Sequence, residues 1–307
     1  MKTVLIGFGD IAEKYLPVLN RLNCEVIGIV TRNFERGLLK SKKFSIPQVY
    51  KSIEDIPINE CDFLMNLSSA DTIGPIMQEI IPKKIPIFTE KPVGFSAEKI
   101  QKLIEQNYKF NCPIMVGTNR RFYSIFYQAL QFLKEHDKEI ETIKIDAPER
   151  FSDINKKKFN SEIKKNWMFA NSIHCVDLIR FFGGDVKEIE TNSNISKYDF
   201  NANGICEKMN FSYSSNWKKQ SKWNISLFAD DVKIIFEPLE NGKIITKNEE
   251  IEINPSQEDI KFKPGFYAQI SHFLENFVKK SEKKWPASDL EDHKKSIKLI
   301  EEIFLKI

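Results

Sequence analysis

The chain opens on a short apolar run, Thr3-Val4-Leu5-Ile6, and then changes period, with Ile11, Tyr15, Leu16, Leu19 and Leu22 falling on one face of a helix. The same exchange of periods recurs downstream. Apolar runs near residues 2–7, 25–30, 62–67, 85–89 and 113–117 predict strands, and stretches near 11–22, 72–81 and 96–107 predict helices between them, Ser96 capping the last. Strand and helix in alternation predict a parallel sheet wound on both faces, with a ligand crevice beyond the strand C-termini. After about residue 120 the pattern changes. Helices are expected near 122–135 and 172–182, and extended runs at 139–147, 186–193, 204–214, 222–237, 242–247 and 250–253, bounded by Asn, Gly and Asp turn signals. Two amphipathic helices, near 266–280 and 289–305, close the chain, with Ser288 and Glu291 at capping-box spacing.

The turn after the first strand carries the first candidate chemistry, Gly7-Phe8-Gly9-Asp10-Ile11-Ala12. Gly7 permits a tight turn, Gly9 lets backbone approach a phosphate, and the helix opening at Asp10 and Ile11 offers N–H donors and the positive end of its dipole. Ala12 takes the third, small position. In a strand, turn, helix context this is a dinucleotide-binding fingerprint. The fold class expected is therefore α/β: an N-terminal Rossmann doubly wound parallel sheet over residues 1–120, plus a C-terminal α+β domain over 121–307 with a mainly antiparallel sheet. An acidic residue at the end of the second strand would hold the adenosine ribose hydroxyls and repel a 2′-phosphate. This chain reads Thr31-Arg32-Asn33 there, which favours NADP(H) while leaving NAD(H) possible.

Composition narrows the class. The 307 residues are long enough for two domains, and 29% charged residues with a net charge of only +3 argue against a nucleic-acid or membrane partner. Lysine runs such as Lys156-Lys157-Lys158 and Lys164-Lys165 read as solvated surface. Five scattered cysteines, with no CxxC pair, point to a reducing compartment and away from disulfides or a metal site. With no leader pattern and no apolar run long enough for a bilayer, the expected location is the cytoplasm.

Further motifs carry a resemblance. Thr89-Glu90-Lys91-Pro92, Gly117-Thr118-Asn119-Arg120-Arg121-Phe122, His174-Cys175-Val176-Asp177, and Gly265-Phe266-Tyr267-Ala268-Gln269 with Phe273 and Pro286-Ala287-Ser288 join the glycine turn in register. Together they resemble the Gfo/Idh/MocA oxidoreductases, relatives of glucose-fructose oxidoreductase and inositol dehydrogenase, over nearly the whole chain. The resemblance implies a nicotinamide enzyme acting on a sugar, sugar acid, nucleotide-linked sugar or cyclitol held between the two domains, in a homodimer or homotetramer. It places Lys91 beside the nicotinamide, where an ammonium polarises a carbonyl or stabilises an alkoxide, with Glu90 positioning it and Pro92, cis in some relatives, fixing the turn.

His174 is the expected proton carrier, because an imidazole titrates near neutrality. Asp177, three residues on, shares its helix face and would orient the ring or contact a substrate hydroxyl. Arg120, Arg121 and Tyr123 follow the sixth strand, where the arginines would suit a carboxylate or phosphate; the alternative is a packed Arg121 and a solvent-facing Arg120. Trp167 would stack on a sugar ring or be buried. Two departures stand out. Many relatives carry aspartate where this chain has Ala170, so Asp177, Asn171 or Tyr123 substitutes, or Lys91 and His174 suffice, or activity is reduced or lost. The fourth-strand loop reads Ser68-Ser69-Ala70-Asp71, whose hydroxyls can still bond the cofactor. A nucleotide-sensing regulator or partner-binding protein, and a lyase or isomerase using the cofactor transiently, are the competing functions.

Overall fold

The computed structural model describes residues 1–218 and 221–305. In chain order the main elements are β1 (Lys2–Ile6), α1 (Asp10–Arg21), β2 (Glu25–Val30), α2 (Phe34–Phe44), β3 (Gln48–Tyr50), β4 (Phe63–Asn66), α3 (Ile73–Ile80), β5 (Ile87–Glu90), α4 (Ala97–Phe110), β6 (Ile114–Gly117) and α5 (Ser124–Glu135). Then come β7 (Thr142–Asp146), α6 (Phe151–Lys156), α7 (Ser161–Lys165), α8 (Ile173–Gly183), β8 (Val186–Thr191), β9 (Asp199–Cys206), β10 (Asn210–Asn216), β11 (Asn224–Ala229), β12 (Val232–Phe236), β13 (Gly242–Ile245) and β14 (Glu250–Ile253). Three helices follow: α9 (Gln257–Lys261), α10 (Phe266–Phe273) and α11 (Leu290–Ile300). The chain forms two compact units, Met1–Asn119 with Lys261–Lys294, and Arg120–Ile260 with Lys295–Ile307.

The first unit holds a six-stranded parallel sheet ordered β3-β2-β1-β4-β5-β6, the Rossmann order expected from the alternating pattern. Strands β4, β5 and β6 are buried at every position, which is why they read as continuous apolar runs. β3 and α2 escaped the sequence reading. β3 has only three residues, and α2 buries Gly37 alone while exposing Leu38 and Leu39, so it shows no clear apolar stripe.

The segment 261–294, which the sequence division placed in the second region, groups with the first unit for a physical reason. The fully buried Tyr15 ring of α1 stacks on Phe266 of α10 at 4.3 Å, and Phe273 meets Phe63 and Phe88 edge-on at 5.5 and 5.7 Å. Val116 of β6 also donates its N–H to the Ser288 carbonyl at 2.7 Å. That bridge corrects the capping expectation: buried Ser288 serves the β6 edge, and the Asp289 carboxylate caps α11 by accepting from Asp292 N at 2.8 Å.

The second unit holds an eight-stranded sheet ordered β14-β13-β12-β11-β7-β10-β9-β8, antiparallel except where β10 runs beside β7. The runs 204–214 and 222–237, read as single extended stretches, each contain a hairpin. The first turns at Glu207-Lys208 without Gly or Pro; the second turns at Asp230, whose φ of 51° is left-handed. Helix α8 lies against β9 and β10, and every residue from Cys175 to Gly183 is buried. No helix among the described residues is long and apolar enough to cross a membrane.

A chain ending at Asn119 would lose the Phe266 and Phe273 rings that cover Tyr15, Phe63 and Phe88. It is expected to keep helical far-ultraviolet dichroism but lose near-ultraviolet dichroism and slow amide exchange, and to regain both when residues 261–294 are appended through a flexible linker. Native packing in the short chain alone would refute the role given to the returning segment.

Candidate functional site

In the first unit the β1–α1 turn contains two glycines with different reasons for being glycine. Gly7 has φ of 86°, and a Cβ there would lie 2.7 Å from Ser68 Cα, so the fold itself requires it. Gly9 has φ of −101°, and a Cβ there would meet nothing within 4 Å. Packing therefore does not demand glycine at 9, whereas a closely approaching ligand would. Helix α1 begins at once with no side-chain cap; Ala12 N and Glu13 N donate to the Gly9 carbonyl at 3.0 and 3.3 Å, and the N–H groups of Asp10 and Ile11 ahead of them suit an acceptor from outside the chain. Phe8 is buried with its ring 5.5 Å from Phe44, so only its backbone is available to a ligand.

Around this turn the other predicted cofactor residues are partly committed. Thr31 Oγ1 donates to the Asn33 carbonyl at 2.8 Å, and Asn33 Oδ1 caps α2 by accepting from Arg36 N at 2.8 Å. Thr31 thus lacks the free hydroxyl hydrogen expected of it, while exposed Arg32 and the Asn33 amide hydrogens remain donors. Ser68 Oγ donates to Asn66 Oδ1 at 2.7 Å, and Ser69 Oγ lies 3.0 Å from Thr72 Oγ1, so both serine hydroxyls first order the β4–α3 turn.

Lys91 follows β5 at a cis peptide to Pro92 and is half-buried. The carboxylate beneath it is fixed from two sides: Tyr15 Oη donates to Glu90 Oε1 at 2.6 Å, and Lys91 N donates to Oε2 at 3.2 Å. Gln269 of α10 in turn donates to Tyr15 Oη at 2.8 Å. Burial and the adjoining Glu90 charge push the Tyr15 phenol well above its ordinary range, so it stays a donor. On the far side of the proline, Val93 N donates to Nε2 of the wholly buried His293 at 3.2 Å. Gln269 and His293 lie 179 and 203 residues from Glu90 in sequence, and no local spacing marks either as a partner of this segment.

In the second unit the predicted residues divide. His174 sits half-exposed in the first turn of α8, after a π-helical turn, Met168–Ser172, that carries Ala170. Both oxygens of Asp177 are engaged within the unit: Oδ2 accepts from Arg121 Nε at 2.7 Å, and Oδ1 from Arg121 Nη2 and Ser296 Oγ, both at 2.6 Å. Both partners of the ion pair are about 5% exposed. The chain continues from Ser296 to Arg180 at 2.8 Å and on to Asp185 at 2.7 Å. Arg121 and Asp177 are thereby parts of a buried framework.

Arg120 behaves differently, lying with its guanidinium carbon 5.0 Å from the Trp223 ring centre. Tyr123 is buried, its hydroxyl 3.4 Å from Glu240 Oε1, and burial pushes the phenol up to about 12. A carboxylate that the sequence did not mark, Glu149, is buried beside the histidine turn: Asn171 Nδ2 donates to its Oε1 at 2.6 Å. Burial raises the Glu149 carboxyl above its ordinary value, against the opposing pull of Trp167, Asn171, Lys157 and Ser172. Trp167 is itself buried, with Phe159 and the Lys157 ammonium against its ring, so it presents no open face to a sugar. Glu149 could have been suspected only from its position after a strand between Pro148 and Arg150, a weak signal.

Residues 1–118 match the family model of the Gfo/Idh/MocA oxidoreductases, described as an oxidoreductase family with an NAD-binding Rossmann fold. A trans-1,2-dihydrobenzene-1,2-diol dehydrogenase of Xenopus tropicalis is 22% identical over 231 residues, 72% of this chain and 67% of that protein. A Gfo/Idh/MocA family oxidoreductase from Vibrio cholerae shares the fold with a TM-score of 0.80 and 21% identity, covering 100% of this chain and 97% of that one. An oxidoreductase from Agrobacterium radiobacter, solved with NAD+, L-tartaric acid and magnesium, does so with a TM-score of 0.78 and 15% identity over 99% and 95% of the two chains.

Two outcomes follow from the second unit. Asp177→Asn leaves the Arg121 guanidinium buried without its counter-charge and should cost about 3–5 kcal/mol, read as a lower denaturant midpoint; an Asp177 acting only on substrate would lower turnover at unchanged stability. Because the Glu149 carboxyl is raised in the folded state, the native protein binds its proton more tightly than the unfolded chain. Its contribution is fully present below the ordinary carboxyl value and lost as pH rises through the folded value. Unfolding free energies across that acidic range should therefore show a decline with pH that Glu149→Gln removes; identical profiles would refute the assignment.

Proposed function

Over its residues 1–118 the chain belongs to the Gfo/Idh/MocA oxidoreductase family, and from that premise we propose that it is an NAD(P)-dependent dehydrogenase or reductase acting at a CH–OH or carbonyl carbon of a carbohydrate or polyol. The observation that carries this reading is Lys91, held at the end of β5 by a buried and fully bonded Glu90, in a sheet of dinucleotide-binding order. A nicotinamide dinucleotide, when bound, supplies or takes up the hydride. The space over Gly9 and the uncapped start of α1 suit its pyrophosphate.

The chain's own residues then have distinct tasks. The Lys91 ammonium polarises the carbonyl or stabilises the alkoxide at the reacting oxygen, and Glu90 fixes the backbone from which it reaches. His174 carries the hydroxyl proton, a contribution of about 100- to 10,000-fold for a positioned acid or base. Asp177 supports α8 through its ion pair with Arg121. Arg32 and Asn33, with no acid at the end of β2, favour NADP(H) over NAD(H).

Purified protein freed of nucleotide is expected to gain about 2.7 kcal/mol of stability at a cofactor concentration of 100 times the dissociation constant, with NADPH effective at lower concentration than NADH. Lys91→Met should keep that gain and lose about 100- to 1,000-fold in turnover on a sugar and polyol panel. Normal turnover in Lys91→Met would overturn the mechanism. Cofactor binding with no hydride transfer to any substrate in the wild type would instead favour a nucleotide-sensing protein.

A further inference from the structure

We propose that Arg120 is an oxyanion subsite, and that the substrate carries a carboxylate or phosphate beside its hydroxyl groups. The inference deepens the reading above and rests on it for the word substrate. Its ground is the contrast between two consecutive arginines. Arg121 is saturated by Asp177. The Arg120 side chain, among the described residues, makes no hydrogen bond and no ion pair, and its Nε is shut off from solvent with no acceptor. A buried donor left unanswered is destabilising, and the folded chain recovers that loss when a ligand supplies the acceptor. An ordinary surface arginine would have a hydrated Nε.

The guanidinium lies 5.0 Å from the Trp223 ring centre, and that ring is anchored because its Nε1 donates to the Pro148 carbonyl at 3.0 Å. An indole offers the guanidinium a π face but no carboxylate, so its N–H groups are left as the fork of donors that matches a planar or tetrahedral oxyanion with two parallel bonds. Two carboxylates share the neighbourhood, for Glu149 and Glu240 act on the buried Cys175 thiol together with Arg120, yet neither pairs with the guanidinium. Glu149 is bonded to Asn171, and Glu240 lies against Tyr123. One free cation beside two engaged carboxylates suits a ligand with an oxyanion for the first and hydroxyl donors for the others, as in a sugar acid or a phosphorylated or nucleotide-linked sugar.

The test uses full-length protein saturated with NADP(H), and measures binding by calorimetry and turnover by nicotinamide absorbance. Probes are gluconate and glucuronate for the carboxylate arm, glucose 6-phosphate and UDP-glucose for the phosphate arm, and glucose and myo-inositol as uncharged counterparts. In the wild type one charged arm should bind at least about 10-fold tighter than its uncharged counterpart, and Arg120→Met should shrink that ratio by about 10- to 100-fold, the size of a lost charge-assisted bond. Arg120→Lys, which keeps charge but not the fork, should recover only part of it. An equal cofactor-induced thermal shift in wild type and both variants verifies that the variants are folded. A charged-to-uncharged ratio unchanged by Arg120→Met, a preference for uncharged sugars, or no sugar binding despite cofactor binding would each overturn the subsite. Arg120-dependent binding without hydride transfer would leave the subsite standing and remove the oxidoreductase reading; turnover of uncharged sugars indifferent to Arg120 would do the reverse.

Discussion

A carboxylate buried under a lysine needs hydrogen-bond donors, and that need organises the first unit. Glu90 is 9% exposed, at the end of a strand buried on both faces, where an ionised group without donors would cost several kcal/mol. Its two oxygens are met by the Tyr15 phenol and by the backbone N–H of Lys91. Tyr15 in turn must be placed, which Gln269 does by a hydrogen bond and Phe266 by ring stacking. Lys91 cannot shift without breaking a bond to a group that has no water to replace it. The reactive segment is thus held by the core, and the cis peptide between Lys91 and Pro92 leads directly into a second anchor at His293.

Those anchors explain why the unit is discontinuous in sequence. Both Gln269 and His293 come from residues 261–294, which return to the parallel sheet after the whole of the second unit has been built. The same segment fills the apolar side, with Phe273 against Phe63 and Phe88. Polar satisfaction and apolar burial therefore recruit one stretch of chain for two reasons. A simple division after the sixth strand follows the change in periodicity, but periodicity reports only which face of an element is buried and not what covers it.

What was legible in the sequence follows from the same distinction. The glycine turn, β1, β2, β4, β5 and β6, and the alternation that marks the second sheet are local, because their spacing is dictated by the backbone of a single element. Element α2 was missed because it buries almost nothing, and the hairpins at Glu207 and Asp230 because their turns lack Gly and Pro. Among functional candidates, Lys91 and the glycines are marked by local motifs. Glu149 is not, since a carboxylate after a strand looks the same whether it is solvated or buried against Asn171.

The paired arginines make the limit of local reasoning concrete. Arg120 and Arg121 have the same side chain at neighbouring positions, so composition and spacing leave open whether both meet an anion or Arg121 packs while Arg120 faces solvent. Their environments differ because the chain direction turns each to a different partner: Arg121 meets a carboxylate 56 residues on, fixed in turn by Ser296, while the Arg120 guanidinium lies over an indole. The Asp177 that satisfies Arg121 is also the residue most naturally assigned to catalysis from its spacing to His174. Once it is taken into the framework, the helix keeps its orientation through an ion pair about 5% exposed on either side, and His174 is left as that helix's one titratable group with exposure to solvent among the described residues. A buried charge pair that gives little net stability can in this way still decide which of two neighbouring groups is exposed to solvent.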